Sequence, residues 1–404
     1  EDAVTVTVQS ENYSEAVILE VRYPQVPGLA GFRAEGDEAP GRLEPVPGAP
    51  VLNLPFNAVY VNYPGGLNMG FVTAVNDALG RGLYMGAHDG VARLKQWRFE
   101  AVGPEGAPEI AASLTHFPYS QTGQIFTGAP WVLAFHDGGW VDGGQRYRDW
   151  FVKTFGIRPR KDDWIREKHF YQMIMMMLPE GNINYRFEDV PDLARQGLAY
   201  GVDSLQLAGW QRGGHDNGYP YYEPDPRLGT WEDVEKAIRA CHDLGVRIYF
   251  FANIHCAMQD LDWFKEELHR YVSLNAQGKT NWIGYWGMGT VGSRLAYTVP
   301  SMSFVDVNFP GIADPTAGYF RKLAALGADG LHIDKCFPNA LEYNPGVVEL
   351  GRSPDVAPWQ GALDLVARID RECRAMKPDF AISFECNWDR FLSYGTTTWW
   401  AGNM

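Results

Sequence analysis

Three phrases recur along this chain: Tyr200-Gly201-Val202-Asp203, Leu244-Gly245-Val246-Arg247 and Leu326-Gly327-Ala328-Asp329. Glycine in this place ends a helix in the left-handed conformation. The residues that follow are apolar without alternation, the pattern of a strand buried on both faces. Apolar bursts of strand length fall at 170–178, 202–207, 246–253, 330–334 and 380–385, with amphipathic helical stretches between them. The clearest helix has Thr230 as N-cap with Asp233 three residues on, then Val234, Ile238, Cys241 and Leu244 as its apolar stripe. Another is predicted over 316–326. Helix, glycine stop and buried strand, repeated, predicts parallel βα units. Two folds use such units, the open doubly wound sheet and the closed barrel. No Gly-x-Gly-x-x-Gly follows the first strand and no full Gly-x-x-x-x-Gly-Lys-Ser/Thr loop occurs, since Ser273 stands where the Gly278-Lys279-Thr280 run would need its first glycine, which removes the main support for a nucleotide-binding open sheet. The expected fold class is therefore α/β, with a (β/α)8 TIM-type barrel, complete or truncated within this chain. An eight-stranded barrel needs more than these five strands, and the short runs 303–307 and 396–400 are the candidates.

The first part of the chain reads differently. β-Branched and aromatic runs at 4–8, 16–21 and 59–63 are separated by Gly, Pro and Asn turns, as in an antiparallel β-sandwich. A helix is expected at 143–155, where Tyr147, Trp150, Phe151 and Phe155 recur at spacings of three and four. The charged run 158–163 has the composition of a linker. A chain of 404 residues can form two cores: a β-sandwich at 1–157 and a barrel at 158–404.

Composition narrows the partners. Lys+Arg 35 against Asp+Glu 49 leaves a net charge of −14, which argues against nucleic acid and anionic membranes. No run approaches the ~18 apolar residues of a membrane span. Five cysteines with no C-x-x-C pair argue against a disulfide scaffold or a zinc knuckle, and no cofactor is called for. Trp 14, Tyr 20 and Phe 21 make aromatic residues 14% of the chain. Flat rings with a polar tip suit sugar rings, so an oligosaccharide or glycoconjugate is the expected partner. The bland alternative is a large aromatic core.

Barrel active sites lie at the C-terminal ends of the strands. The second strand runs into Trp210 and then His215 and Asp216, and the third ends at Asn253 and His255. The fourth carries His332, Asp334 and Lys335, and the fifth leads to Glu385, Trp388 and Asp389. Asp334 and Glu385, each ending an apolar strand, are the catalytic candidates. The plain structural readings are a helix N-cap for Asp334 and a barrel-closing salt bridge for Glu385. Trp210, His215, Asp216, Asn253, His255, His332, Lys335 and Trp388 are candidates for substrate binding, the two tryptophans as sugar platforms or as rim packing.

The run Asp329-Gly330-Leu331-His332-Ile333-Asp334 resembles the nucleophile strand of retaining α-glycoside hydrolases, which include α-galactosidases, α-glucosidases and endo-α-N-acetylgalactosaminidases. Leu83-Tyr84-Met85-Gly86-Ala87-His88-Asp89, and Gly139-Trp140 with Tyr147-Arg148-Asp149-Trp150, resemble the N-terminal region of a bacterial branch of that superfamily. The resemblance implies a β-rich domain before a (β/α)8 barrel, and cleavage of an α-linked glycosidic bond through a covalent glycosyl-aspartate. It places Asp334 as nucleophile and Glu385 as acid/base. In the α-galactosidase and α-glucosidase groups the acid/base comes from the sixth strand, which leaves Asp389 or a later residue as the alternative.

The residues' own chemistry points the same way. Carboxylates ending adjacent parallel strands, ~4.8 Å apart, can approach the ~5–5.5 Å of a retaining double displacement. Lys335 and His332 are expected to keep Asp334 ionised, and Phe384 and Trp388 to raise the pKa of Glu385. Two other readings compete. A metal-dependent barrel, such as a sugar isomerase or amidohydrolase, would use His255, His332, Asp334 and Glu385 as ligands. A non-catalytic carbohydrate-binding protein would keep the scaffold and need only one of the two carboxylates.

Overall fold

The computed structural model describes residues 3–35, 41–42, 58–103, 109–156, 164–167, 170–283, 302–336, 341–385 and 388–398. The expected linker at 158–163 lies outside them. The chain forms two compact units, Glu1–Arg158 with Arg352–Gln360, and Pro159–Gly351 with Gly361–Met404.

The first unit is built of antiparallel strands. Ala3–Val6, Trp131–Asp137, Arg81–Ala87, Phe71–Asn76, Arg33–Glu35 and Gly41–Arg42 form one sheet in that order. Val21–Val26, Glu109–His116, Lys95–Val102 and Ala58–Tyr63 form another. The expected strand at 16–21 does not form: Ile18 makes a single bridge to Ser120, and the strand begins at Val21. The helix spans Trp140–Phe155, and Gly156 closes it at φ +64°. Its Tyr147 and Phe151 pack on Phe71, Tyr84, Val132 and Ala134 of the first sheet. Burial of about 1.5–3 kcal/mol per large apolar side chain, more than helix propensity, holds such a helix in place.

In the second unit β1 (Tyr171–Met175), β2 (Ser204–Ala208), β3 (Arg247–Asn253), β4 (Gly330–Asp334), β5 (Ala381–Phe384) and β6 (Gly395–Thr398) form one sheet. Spatial order is sequence order, and every neighbouring pair is parallel. Helices α1 (Val190–Leu198), α2 (Trp231–Asp243), α3 (Pro310–Ala325) and α4 (Ala357–Met376) fill the first four connections in turn. A doubly wound sheet reverses its order at a switch point; among the described residues this sheet does not. Nor, among them, does any pairing close it.

The sequence logic accounts for most of these elements. Thr230 and Asp233 cap α2 reciprocally, each side chain bonded to the other's backbone N–H. Helix α3 starts six residues earlier than expected, at Pro310, because proline in the first turn fits the helix and a buried stripe of Ile312, Ala317, Phe320 and Leu323 runs from there. Strands β2 and β4 are buried throughout. Strand β1 is not: Phe170, Tyr171 and Met173 are exposed along the sheet edge. The run 303–307 does not join the parallel sheet. Met302–Phe304 pairs antiparallel with Cys256–Met258 and Trp282–Ile283 instead. The run 396–400 supplies most of β6, and residues 399–400 lie outside the described residues.

Candidate active site

Strand register sets the rim. Asn253 at the end of β3 is the partner of Asp334 at the end of β4. Ile333 pairs with Phe384, so Glu385, one residue past β5, stands level with Asp334. Lys335 follows at φ +47°, a left-handed backbone uncommon for any residue with a Cβ. Its backbone N–H donates to Glu385 Oε2 at 2.6 Å. Its ammonium donates to Asp334 Oδ2 at 2.6 Å and to the two oxygens of Asp216 at 2.7 and 2.9 Å. Lys335 therefore holds three carboxylates. Asp216 arrives from the loop between β2 and α2, itself at φ +50°, and also accepts the Tyr219 hydroxyl at 3.3 Å. Asp216 and Asp334 are both buried.

Burial is the largest influence on Asp334 and pushes its carboxyl up to about 7; Lys335 pulls it down, while Asp216 and Glu385 add to the rise. This corrects the expectation that Lys335 and His332 keep Asp334 ionised. One ammonium shared between Asp334 and Asp216, with Glu385 close by, does not neutralise each carboxylate, and His332 brings no charge, because burial pushes it down to about 3. Burial also lowers His215, and takes His255 to about 3. The Lys335 ammonium resists the same burial, held well above its usual range by Asp216 and Asp334.

The other candidates separate into those at the cluster and those beneath it. His215 precedes Asp216 and leans on the Phe251 ring, centroids 4.9 Å apart. His332 shares Nδ1 with the Ser383 hydroxyl at 2.9 Å. Asn253 is spent on its own turn: its side-chain oxygen accepts the N–H groups of His255 at 2.8 Å and Cys256 at 3.1 Å. The platform role of Trp210 is corrected: it is 0% exposed, with its indole N–H donated to the Phe251 carbonyl at 2.9 Å and its ring edge-on to Phe250. Trp388 is likewise buried, edge-on to Phe391. Both tryptophans are rim packing. Asp389 is buried at the start of the 3-10 turn Asp389–Ser393. Among the described residues no three His, Cys, Asp or Glu side chains converge as a metal site, so the ligand set His255, His332, Asp334 and Glu385 is not assembled. The four described cysteines, Cys241, Cys256, Cys336 and Cys373, are buried.

Sequence reasoning missed Tyr219, Tyr222 and Asp225. The Tyr222 hydroxyl accepts the Asn253 N–H at 2.8 Å, which ties the loop after β2 to the end of β3. The available signal was the dense Tyr219-Pro220-Tyr221-Tyr222 run followed by Asp225-Pro226-Arg227, which is polar chemistry too concentrated for a plain connection.

Residues 129–343, just over half of the chain, match one family model, described as a domain of unknown function (DUF6259). No curated protein matches the chain. Among solved structures, the α-N-acetylgalactosaminidase NagBb from Bifidobacterium bifidum, in complex with GalNAc, superposes with a TM-score of 0.69 at 14% identity, over 99% of this chain and 64% of that one. An α-galactosidase from Lactobacillus brevis gives 0.57 at 11% identity, over 99% of this chain and 52% of its own. TtGalA, an α-galactosidase from Thermus thermophilus in complex with stachyose, gives 0.54 at 14% identity, over 98% and 78%. This chain thus spans less than two thirds of NagBb, and at these identities the likeness is one of fold.

Proposed function

This chain belongs to the DUF6259 family, and we propose that it is an α-glycosidase that cleaves an α-linked glycosidic bond with retention of configuration. One observation carries the reading: Lys335 fastens both carboxylates that end neighbouring parallel strands, Asp334 through its side chain and Glu385 through its backbone N–H, each at 2.6 Å. Strand ends ~4.8 Å apart suit the ~5–5.5 Å of a retaining pair better than the ~6.5–9.5 Å in which an inverting enzyme seats a water. In the proposed reaction an Asp334 oxygen bonds to the anomeric carbon while the bond to the leaving oxygen breaks, and that oxygen takes the Glu385 proton. Glu385 then takes a proton from water, the water oxygen bonds to the anomeric carbon, and Asp334 departs as carboxylate. Asp216, Lys335 and His215 hold sugar hydroxyls beside that carbon.

The finer fold belongs to the same proposal. Six parallel strands in unreversed order, with an exposed edge at β1, are the larger part of a (β/α)8 barrel at 158–404, which follows a β-sandwich at 1–157 in the chain. The names of the solved neighbours make α-galactosides and α-N-acetylgalactosaminides the first substrates to try.

The test is a panel of aryl α- and β-glycosides, with NMR identifying the anomer released first. Cleavage of an α-glycoside with the α-sugar appearing first supports the proposal. Cleavage restricted to β-glycosides, or the β-sugar appearing first from an α-glycoside, overturns it. Glu385→Ala is expected to slow substrates with poor leaving groups by about 10²–10⁴-fold, and to spare the first step on nitrophenyl glycosides. Azide should rescue its second step and yield the retained glycosyl azide. Wild-type behaviour on natural glycans would move the acid/base role to Asp389 or a later residue.

The pH profile tests the electrostatics. Asp334 attacks only when ionised and its carboxyl is pushed up to about 7, so kcat/KM should fall on the acid side with a midpoint near there. Asp216 contributes to that rise, so Asp216→Asn should move the acid limb to lower pH. An unmoved limb would show that Asp334 does not govern it.

A further inference from the structure

We propose that Asp225 is a positioning residue of this site, a clamp that holds the turn carrying Asp216 against Lys335. Its effect on turnover rests on the α-glycosidase reading; the geometry does not. Asp225 is 2% exposed, and its carboxylate accepts four hydrogen bonds. Oδ2 takes the Gly213 N–H at 3.0 Å and Arg227 Nη2 at 2.9 Å. Oδ1 takes Arg227 Nε at 2.8 Å and the Arg227 N–H at 3.0 Å. An amide side chain has one acceptor oxygen and would turn its NH2 on two of these donors. The site is therefore built for a carboxylate. Burial opposes its charge, yet Arg227 and the two N–H groups hold its carboxyl below the usual range. At the other end of the loop the Asp225 N–H donates to the Trp210 carbonyl at 3.1 Å, so the clamp closes back on the residue that follows β2.

The turn needs such a clamp. Gly213 and Gly214 lie at φ +91°, Asp216 at φ +50° and Gly218 at φ +71°. A Cβ on Gly214 would sit 2.7 Å from the Leu178 carbonyl oxygen, and one on Gly218 would collide with the Arg212 carbonyl. Left-handed backbone at Asp216, a residue with a Cβ, is strained and persists only where its surroundings impose it. Gln211 Nε2 on the Gly214 carbonyl at 2.6 Å and the His215 N–H on the Met177 carbonyl at 2.9 Å fix the middle of the turn. Asp225 fixes its entry at Gly213. The effect is to deliver the Asp216 carboxylate to an ammonium it shares with Asp334.

That sharing is what the experiment reads. The charged and titratable groups around Asp334 are Lys335, Asp216 and Glu385, with His215, Tyr219, Tyr222 and Cys256 about the same cluster. If Asp216 loosens, Lys335 turns wholly to Asp334, and Asp334 should titrate at lower pH. The probe is 13C NMR of protein labelled at aspartate carboxyl carbons, with the Asp334 signal assigned by its loss in Asp334→Asn. Asp225→Asn should lower the Asp334 midpoint by about half a pH unit or more, in the same direction as Asp216→Asn. The double variant should match Asp216→Asn alone. Asp225→Glu should recover part of the shift. A residue that only stabilises the fold would lower the melting temperature and leave the midpoint in place, and that result overturns the proposal. So would shifts that add in the double variant. If Asp225→Asn does not fold, Arg227→Ala, at an exposed side chain, removes two of the four hydrogen bonds on the Asp225 carboxylate; a smaller shift in the same direction supports the proposal and an unmoved midpoint overturns it. The titration needs no substrate. Coupling that holds in a protein inactive on every glycoside would defeat the glycosidase reading and leave the clamp standing.

Discussion

Asp334→Ala is expected to lower kcat/KM by about 10⁴-fold or more on every glycoside the wild type cleaves. Loss of a nucleophile differs from loss of an acid in being blind to the leaving group, because without Asp334 no glycosyl-enzyme forms on any substrate. Added azide makes the contrast sharper. In Asp334→Ala a small anion can enter where the carboxylate was and give the inverted glycosyl azide, whereas Glu385→Ala should give the retained one. The variant should also fold. The Asp334 carboxyl is pushed up to about 7 from an ordinary value near 3.8. A group raised in this way favours the folded state below its unfolded value, and that contribution is lost as pH rises through about 7. At pH 8 wild-type Asp334 is thus an ionised, buried carboxylate beside Asp216 and Glu385, and its removal should leave the melting temperature level or higher. Near-normal turnover in a folded Asp334→Ala protein would refute the nucleophile assignment, and full inactivity with a collapsed melting temperature would make it a structural residue.

How much of this was legible depends on the scale of the interaction. Helix α2 could be read outright, since Thr230, Asp233, the Val234–Ile238–Cys241 stripe and Gly245 are local signals within one stretch of chain. The parallel βα units leading into β2, β3 and β4 followed from the glycine stops for the same reason. The exposure of Phe170 and Tyr171 at strand β1 was not legible, because an apolar run looks alike at a covered position and at a sheet edge; only the neighbour decides, and among the described residues β1 has a strand on one side alone. Asp334 and Glu385 were visible as polar residues ending apolar strands. The part of Lys335 was not, because it depends on a backbone at φ +47° that points one residue's N–H and ammonium at different carboxylates. The tryptophans show the limit of composition. Trp210 has the ring a sugar platform needs, but packing against Phe250 and a bond to the Phe251 carbonyl put it inside.

The largest effect on stability is expected at Asp329, at the opposite end of β4 from Asp334. Asp329 is 0% exposed and accepts His242 Nε2 at 2.7 Å, Arg247 Nη1 at 2.6 Å and the Ile248 N–H at 2.7 Å, with Lys377 Nζ at 3.3 Å. Arg247 also reaches Asp379 at 2.7 Å, and Lys377 reaches it at 2.9 Å. One carboxylate therefore joins helix α2, the start of β3, the start of β4 and the segment that leads into β5. Asp329→Ala would leave a buried backbone N–H without its acceptor and two cations facing each other, which costs about 3–5 kcal/mol. For a unit of this size that is about 10 °C in melting temperature. Burial opposes ionisation of Asp329, yet its partners hold the carboxyl below the usual range. A depressed carboxylate contributes stability that is present above its unfolded value and lost as pH falls through its folded one. Wild type should therefore lose melting temperature steeply below about pH 4, and Asp329→Asn, which keeps the shape without the charge, should start lower and fall less. An Asp329→Asn protein as stable as wild type at pH 7 would mean that this network is a solvated ion cluster, and that β3, β4 and β5 are held in register by their backbone pairing and apolar faces alone.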